Sequence, residues 1–161
     1  MVKIGLQLKA QLEKITNLRP EGDDFRWYMK LKCVNCGEET PDFVYLTLEE
    51  NQPLKGGRGH ASLVLKCKGC MRENSIDIIQ DSIGKYTMDD CPKFKTIVAF
   101  DCRGVEPIAF DPRVSWSAEG EETRSPFAVD LSQGDWADFD EKNSESVGIY
   151  ELENQFVSLK H

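Results

Sequence analysis

The residues of this chain best suited to chemistry are cysteines, and four of them form two pairs of one spacing, Cys33-Val-Asn-Cys36-Gly37 and Cys67-Lys-Gly-Cys70. A C-x-x-C held in a tight turn points backbone N–H groups at both sulfurs. Two such turns facing each other make a tetrahedral all-sulfur shell, which Zn2+ accepts and which leaves no position open for water or substrate. The spacing therefore predicts one structural zinc ion (Zn2+) per chain, held by Cys33, Cys36, Cys67 and Cys70; iron satisfies the same shell. Two disulfides, or a dithiol redox centre, are the other uses of such thiols. Disulfides need an oxidising compartment, and the first residues, Met1-Val-Lys-Ile-Gly-Leu-Gln-Leu-Lys9, lack the continuous apolar run of a secretory signal. A thioredoxin-type pair sits at a helix N-terminus, and neither pair here is followed by a helical pattern.

No catalytic constellation accompanies the cysteines, so the chain is not expected to be an enzyme. Lys55-Gly-Gly-Arg-Gly59 has the glycines of a phosphate loop but no Lys-Ser or Lys-Thr at a helix start, and reads as a wide hairpin turn. His60 and Ser62 follow it without a placed nucleophile and orienting acid, which makes His60 a hydrogen-bonded surface residue. Cys91 and Cys102 fall outside any ligand spacing. As ordinary reduced thiols they point to the cytoplasm or the nucleus.

Charge narrows the partners. Of the 20 Lys+Arg and 28 Asp+Glu that give a net −8, residues 1–105 carry 16 and 15, while residues 106–161 carry 4 and 13. That excess of carboxylates argues against a general nucleic-acid binder, whose affinity comes from Lys and Arg displacing counterions. Lys30, Lys32, Lys66, Lys68 and Arg72 flank the cysteines. Their reading here is as offsets to the formal −2 of a tetrathiolate zinc site rather than as a phosphate-binding patch. No apolar stretch is long enough to span a membrane.

The elements that must carry the cysteines are strands. Trp27, Met29, Leu31 and Cys33 alternate with Tyr28, Lys30 and Lys32, so the first pair ends a strand. Ala61 to Cys67 runs as a strand into the second pair, and Asn74 to Ile79 leaves it as another. Near the N-terminus Ile4, Leu6, Leu8, Ala10 and Leu12 alternate too, although Leu8, Leu12 and Ile15 also fit a helical stripe. Residues 17–24 read as a turn cluster, Phe43 to Leu48 as a further strand, and Tyr86 to Pro92 as a polar connector between lobes.

The second half is patterned like the first. Phe94 to Cys102 reads as a strand, Arg103-Gly-Val-Glu-Pro107 matches the run ending in Pro20, and Trp116 stands where the first half has Trp27. Ser146 to Leu152 and Phe156 to Leu159 then correspond to the strands around the second cysteine pair. The expectation is a divergent internal duplication: a zinc-binding β lobe at 1–90 and an acidic β lobe without metal ligands at 91–161, packed as one unit. The acidic run Gly134-Asp-Trp-Ala-Asp-Phe-Asp-Glu-Lys142 reads as a solvated loop with Trp136 and Phe139 tucked inward; as a function it would dock a basic partner.

Leu6-Gln-Leu-Lys-Ala10, Ile15-Thr-Asn-Leu-Arg-Pro20, Asp24-Phe-Arg-Trp27, the two cysteine pairs, Leu54-Lys-Gly-Gly-Arg-Gly59, Arg72-Glu-Asn-Ser75, Phe94-Lys-Thr-Ile-Val98 and Glu145-Ser-Val-Gly-Ile-Tyr-Glu151 together resemble the eukaryotic CXXC-motif-containing zinc-binding protein family. The resemblance runs nearly end to end. It implies an all-β protein of two related antiparallel lobes, sandwich-like or barrel-like, with zinc on Cys33, Cys36, Cys67 and Cys70, and it brings no established activity. The sequence thus points to a monomeric, non-enzymatic module that binds a protein partner, without nucleic acid or membrane. Metal handling or reversible thiol oxidation is the alternative.

Overall fold

The computed structural model describes residues 2–54 and 59–159. Their strands are β1 (Val2–Glu13), β2 (Ile15–Pro20), β3 (Trp27–Cys33), β4 (Val44–Leu46), β5 (Gln52–Pro53), β6 (His60–Ala61), β7 (Leu63–Lys66), β8 (Glu73–Ile79), β9 (Lys95–Arg103), β10 (Val105–Asp111), β11 (Trp116–Gly120), β12 (Pro126–Val129), β13 (Trp136–Asp140) and β14 (Glu145–Ser158). One 3-10 turn, Gln80–Ser82, is the sole helical element among the described residues, none of which forms a helix long enough to cross a membrane. The protein is all-β, as its alternating pattern predicts. The ambiguous N-terminal stretch is a strand because Leu6, Leu8 and Ala10 are buried on one face while both edges of β1 find partners, β14 and β9.

Six antiparallel strands, in the order β13-β14-β1-β9-β8-β7, form a sheet that curls into half a barrel. Two three-stranded sheets, β10-β3-β4 and β12-β11-β2, and the β5-β6 hairpin complete the fold. Each of the three larger sheets draws strands from both sides of the 90/91 boundary, so the two halves are interleaved. The strand order is unchanged when β1, β2, β3, β4, β7 and β8 are exchanged for β9, β10, β11, β12, β13 and β14. This topological equivalence does not by itself make the halves copies of one another.

Four local expectations change. Residues 17–20 of the expected turn belong instead to strand β2, because β11 offers a hydrogen-bonding edge; Asn17, at φ 56°, takes up the irregularity. The connector at 86–92 is polar in sequence, yet Tyr86 is fully buried, pairs with Leu18 through two 2.8 Å backbone bonds and donates its hydroxyl to the Lys93 carbonyl at 2.6 Å. The two separate strands expected after residue 145 are one, β14, bent at Glu151 with φ 54°. The acidic run is the edge strand β13, where Trp136 packs edge-on against Phe127 at 5.8 Å but Phe139 faces solvent. Carboxylates on an edge strand discourage pairing with other chains.

The core between the sheets centres on aromatics. The ring of Trp27 lies 4.6 Å from Phe25, 6.1 Å from Phe110 and Trp116, and 6.2 Å from Phe100. Trp116 also donates its indole N–H to Pro112 O at 2.8 Å, which satisfies its one polar atom. On β3, Trp27, Met29, Leu31 and Cys33 are all buried and their neighbours are not. The period of two that buries Trp27 therefore also turns the Cys33 sulfur inward, and packing aims the first of the four cysteines.

Candidate metal centre

Each cysteine pair opens a turn of the same design. In the first, Cys33 N donates to Glu38 O and Gly37 N donates to Cys33 O, both at 2.8 Å; in the second, Cys67 N to Arg72 O and Met71 N to Cys67 O are also 2.8 Å. Both turns finish on a left-handed residue, Gly37 at φ 82° and Met71 at φ 63°. Glycine is free there, and methionine carries some strain.

The turns face each other and bring all four sulfurs within 4.8 Å of one another. Cys33 Sγ lies 3.7 Å from Cys70 Sγ, and Cys36 Sγ 3.4 Å from Cys67 Sγ. A tetrahedron with Zn–S bonds of about 2.3 Å has sulfur-to-sulfur edges of roughly 3.8 Å, so the donor set fits the ion expected from sequence. Gly69 supports the fit: a Cβ there would stand 3.2 Å from Cys36 Sγ, inside the space the sulfurs need. Cys33 and Cys67 are buried, Cys70 is half-buried and Cys36 is exposed.

The protons of Cys33, Cys70 and Cys36 are unevenly held. Cys33 is drawn down to about 6, first by the side-chain amide of Asn74 and then by the N–H groups of Cys36 and Asn35. Cys70 is lowered by the Asn35 side-chain amide and the Arg72 N–H. Cys36 goes the other way, to about 12: the Glu38 N–H favours its thiolate, but neighbouring Cys67, burial, Cys70 and Cys33 outweigh that bond. A bound divalent metal deprotonates coordinating thiols outright, so zinc would hold these sulfurs as thiolates.

Asn35 and Asn74 are the functional residues that the spacing of cysteines does not reveal. Asn35 has one signal, its place inside the first C-x-x-C. Asn74 has none, because it reaches Cys33 only once β8 has paired with β9 and β3 with β10, the strand that follows β9. It is 2% exposed. With its amide nitrogen turned to the backbone it donates to Gly104 O at 3.1 Å and Glu73 O at 3.3 Å; turned the other way it donates to the Cys33 thiolate. Partners of this kind orient metal ligands, and losing one typically costs 10–100-fold in affinity. Asn74→Ala is expected to weaken zinc binding by about that factor, read by competition with a chromophoric chelator. An unchanged affinity would remove Asn74 from the centre.

The other candidates lie apart. Lys66 and Lys68 line a cleft of about 330 Å³ beside the turns, together with Glu38, Glu39 and Asp42, while Lys30 rests its ammonium 5.3 Å from the Phe43 ring. His60 is exposed on β6. Ser62 is buried and structural: its hydroxyl donates to Asp77 Oδ1 at 2.9 Å and accepts from Ile78 N at 3.0 Å. The glycine loop at 55–58 lies outside the described residues. Cys102 is buried in the core, which pushes its thiol to about 12, and Cys91 donates to Ala10 O at 3.2 Å. Neither joins the four.

Comparison with known proteins agrees with this geometry. The sequence profile for "CXXC motif containing zinc binding protein, eukaryotic" matches residues 5–157. A UPF0587 protein of Nematostella vectensis is 60% identical over 99% of this chain and 100% of its own length. The CXXC motif containing zinc binding protein of Homo sapiens is 56% identical, over 98% of this chain and 99% of its own. Among solved structures, the crystal structure of C1orf123 superposes with a TM-score of 0.94 at 55% identity, covering 98% of this chain and 99% of that one. A hypothetical protein from Plasmodium falciparum shares the fold at 23% identity, with a TM-score of 0.88 over 98% of this chain and all of the other. With matching ligand spacing, converging sulfurs and similarity along nearly its whole length, the chain belongs to the eukaryotic family of CXXC motif containing zinc binding proteins.

Proposed function

We propose that this protein is a non-enzymatic protein-interaction module of the cytoplasm or nucleus, monomeric, whose single zinc ion on Cys33, Cys36, Cys67 and Cys70 is structural. The closed donor set carries this reading: four sulfurs within 4.8 Å account for every position of a tetrahedral ion, so substrate has no vacancy to occupy. What the closed centre does instead is hold two turns rigidly side by side. Each presents a large apolar side chain to solvent, Val34 at 62% exposure and Met71 at 61%. Apolar groups on a rigid support are suited to docking a partner at little entropic cost. The acidic balance of residues 106–161 turns the choice of partner away from nucleic acid.

The deciding experiment measures zinc content and melting temperature before and after a strong chelator under reducing conditions. One zinc per chain that resists removal, and whose loss unfolds the protein, is the expected result. Easy loss with survival of the fold would overturn it in favour of metal exchange or thiol redox chemistry, a reading to which the exposed Cys36 lends itself. The docking surface is checked separately by Val34→Glu combined with Met71→Glu. This variant is expected to keep zinc and melting temperature while losing partners captured by proximity labelling; retention of those partners would place the interface elsewhere.

A further inference from the structure

The second half of the fold has no cysteine pair, yet it contains two turns built like those of the four-cysteine centre. At 120–125, Gly120 N donates to Ser125 O at 2.9 Å and Arg124 N to Gly120 O at 3.0 Å, the same two bonds that close the turn at 33–38. Both turns end on a left-handed residue, Arg124 at φ 59° matching Gly37 at φ 82°. Both dock on a neighbouring strand connection through their second residue, Val34 N to Gly104 O and Glu121 N to Lys14 O, each at 3.0 Å. The strand register agrees, since Cys33 pairs with Val105 and Gly120 with Ile15, each the first residue of its strand. The turn between β13 and β14 matches the one between β7 and β8, with Ser144 at φ 56° where Met71 has φ 63°. Position by position, Gly120, Thr123, Asp140 and Asn143 therefore stand where Cys33, Cys36, Cys67 and Cys70 stand.

The side chains at these positions converge as well. Asp140 is 2% exposed, and Thr123 donates its hydroxyl to Asp140 Oδ2. Ser125 Oγ donates to Oδ1 at 3.3 Å and Lys142 N to Oδ1 at 3.1 Å. The Thr123 to Asp140 bond joins the two turns where Cys36 and Cys67 sulfurs face each other in the first half. A Cβ at Gly120 would project into the same spot, against Thr123 Oγ1 and 2.6 Å from Asp140 Oδ2, as a cysteine there would to reach a shared ion. Asn143 Oδ1, at the Cys70 position, is buried without a hydrogen-bond partner.

We infer that the Asp140 cluster is the metal-free counterpart of the four-cysteine centre: a buried carboxylate cross-links the turns at 120–125 and 140–145, on a backbone that retains the geometry of a tetrathiolate site for a thiophilic dication. Two measurements test it. The combined variant Gly120→Cys, Thr123→Cys, Asp140→Cys and Asn143→Cys, produced reduced with zinc, is expected to bind one zinc more per chain than the parent. After cobalt substitution its thiolate charge-transfer absorbance would be twice the parent's. A folded variant that binds no more metal than the parent overturns the retained geometry. The second measurement holds even if that variant does not fold. Asp140→Ala is expected to lower the melting temperature by roughly 5–10 °C, with zinc content unchanged. Gly120→Ala, which crowds the carboxylate, is expected to cost less in the Asp140→Ala background than alone. Additive effects, or an unshifted melting temperature for Asp140→Ala, overturn the cross-link.

Discussion

Cys67→Ser is expected to give the largest loss of stability of any single substitution in this chain, with zinc content falling to a small fraction of the parent's. The Cys67 sulfur is buried and faces Cys36 Sγ at 3.4 Å, from a turn 31 residues further along the chain. Serine shortens the donor and replaces a thiolate by a hydroxyl that stays protonated near neutral pH, so three thiolates remain around an open position. Structural zinc contributes apparent binding free energies of about 10–16 kcal/mol in small domains, comparable with the whole stability of a typical fold, about 5–15 kcal/mol. Even partial loss removes the ion that joins the two turns and leaves each to its own backbone hydrogen bonds. Calorimetry and metal analysis on the same preparation check this, and native melting with full metal content would refute a structural role for the centre. Because binding needs deprotonated sulfur, zinc retention in the parent is also expected to fall as pH drops.

Trp27→Ala is expected to cost about 3–5 kcal/mol, or roughly 6–20 °C in melting temperature for a chain of this size. Trp27 is 1% exposed and its ring meets Phe25 on the same side of the chain and Phe100, Phe110 and Trp116 from residues 91–161. Truncation leaves a cavity between interleaved sheets that cannot collapse without moving both. The two variants differ in their response to added zinc. Trp27→Ala keeps the full donor set, so each tenfold rise in free zinc stabilises the folded chain by about 1.4 kcal/mol. Cys67→Ser gains far less. Chemical denaturation at two zinc concentrations separates core loss from ligand loss, and an equal response of both variants would show that Cys67 does not contribute to the affinity.

How much of this was legible in the sequence follows the range of the interactions. The two C-x-x-C turns are local: each is closed by hydrogen bonds spanning five residues or fewer, so spacing alone predicts which sulfurs converge. Strands such as β3 were legible for the same reason, since the alternation that buries Trp27, Met29, Leu31 and Cys33 is written in consecutive residues. The turn expected at 17–24 was half wrong because propensity knew nothing of β11, whose edge draws 15–20 into a sheet. The connector at 86–92 looked like a boundary by composition, although Tyr86 is among the most buried residues in the molecule.

The sequence by itself determined the all-β class, the four sulfur donors and the charge asymmetry, because each rests on residue type and short spacing. Tertiary structure alone decided that strands of the two halves pair within shared sheets, that Asn74 is brought beside Cys33, and that Asp140 occupies the position of Cys67 in an equivalent turn. Those relations join residues far apart in the chain, Ile4 with Ser158 at the extreme, or align separate turns, and no periodicity encodes them. They exist only when unpaired strand edges and buried polar groups find partners, a condition that the whole fold satisfies at once.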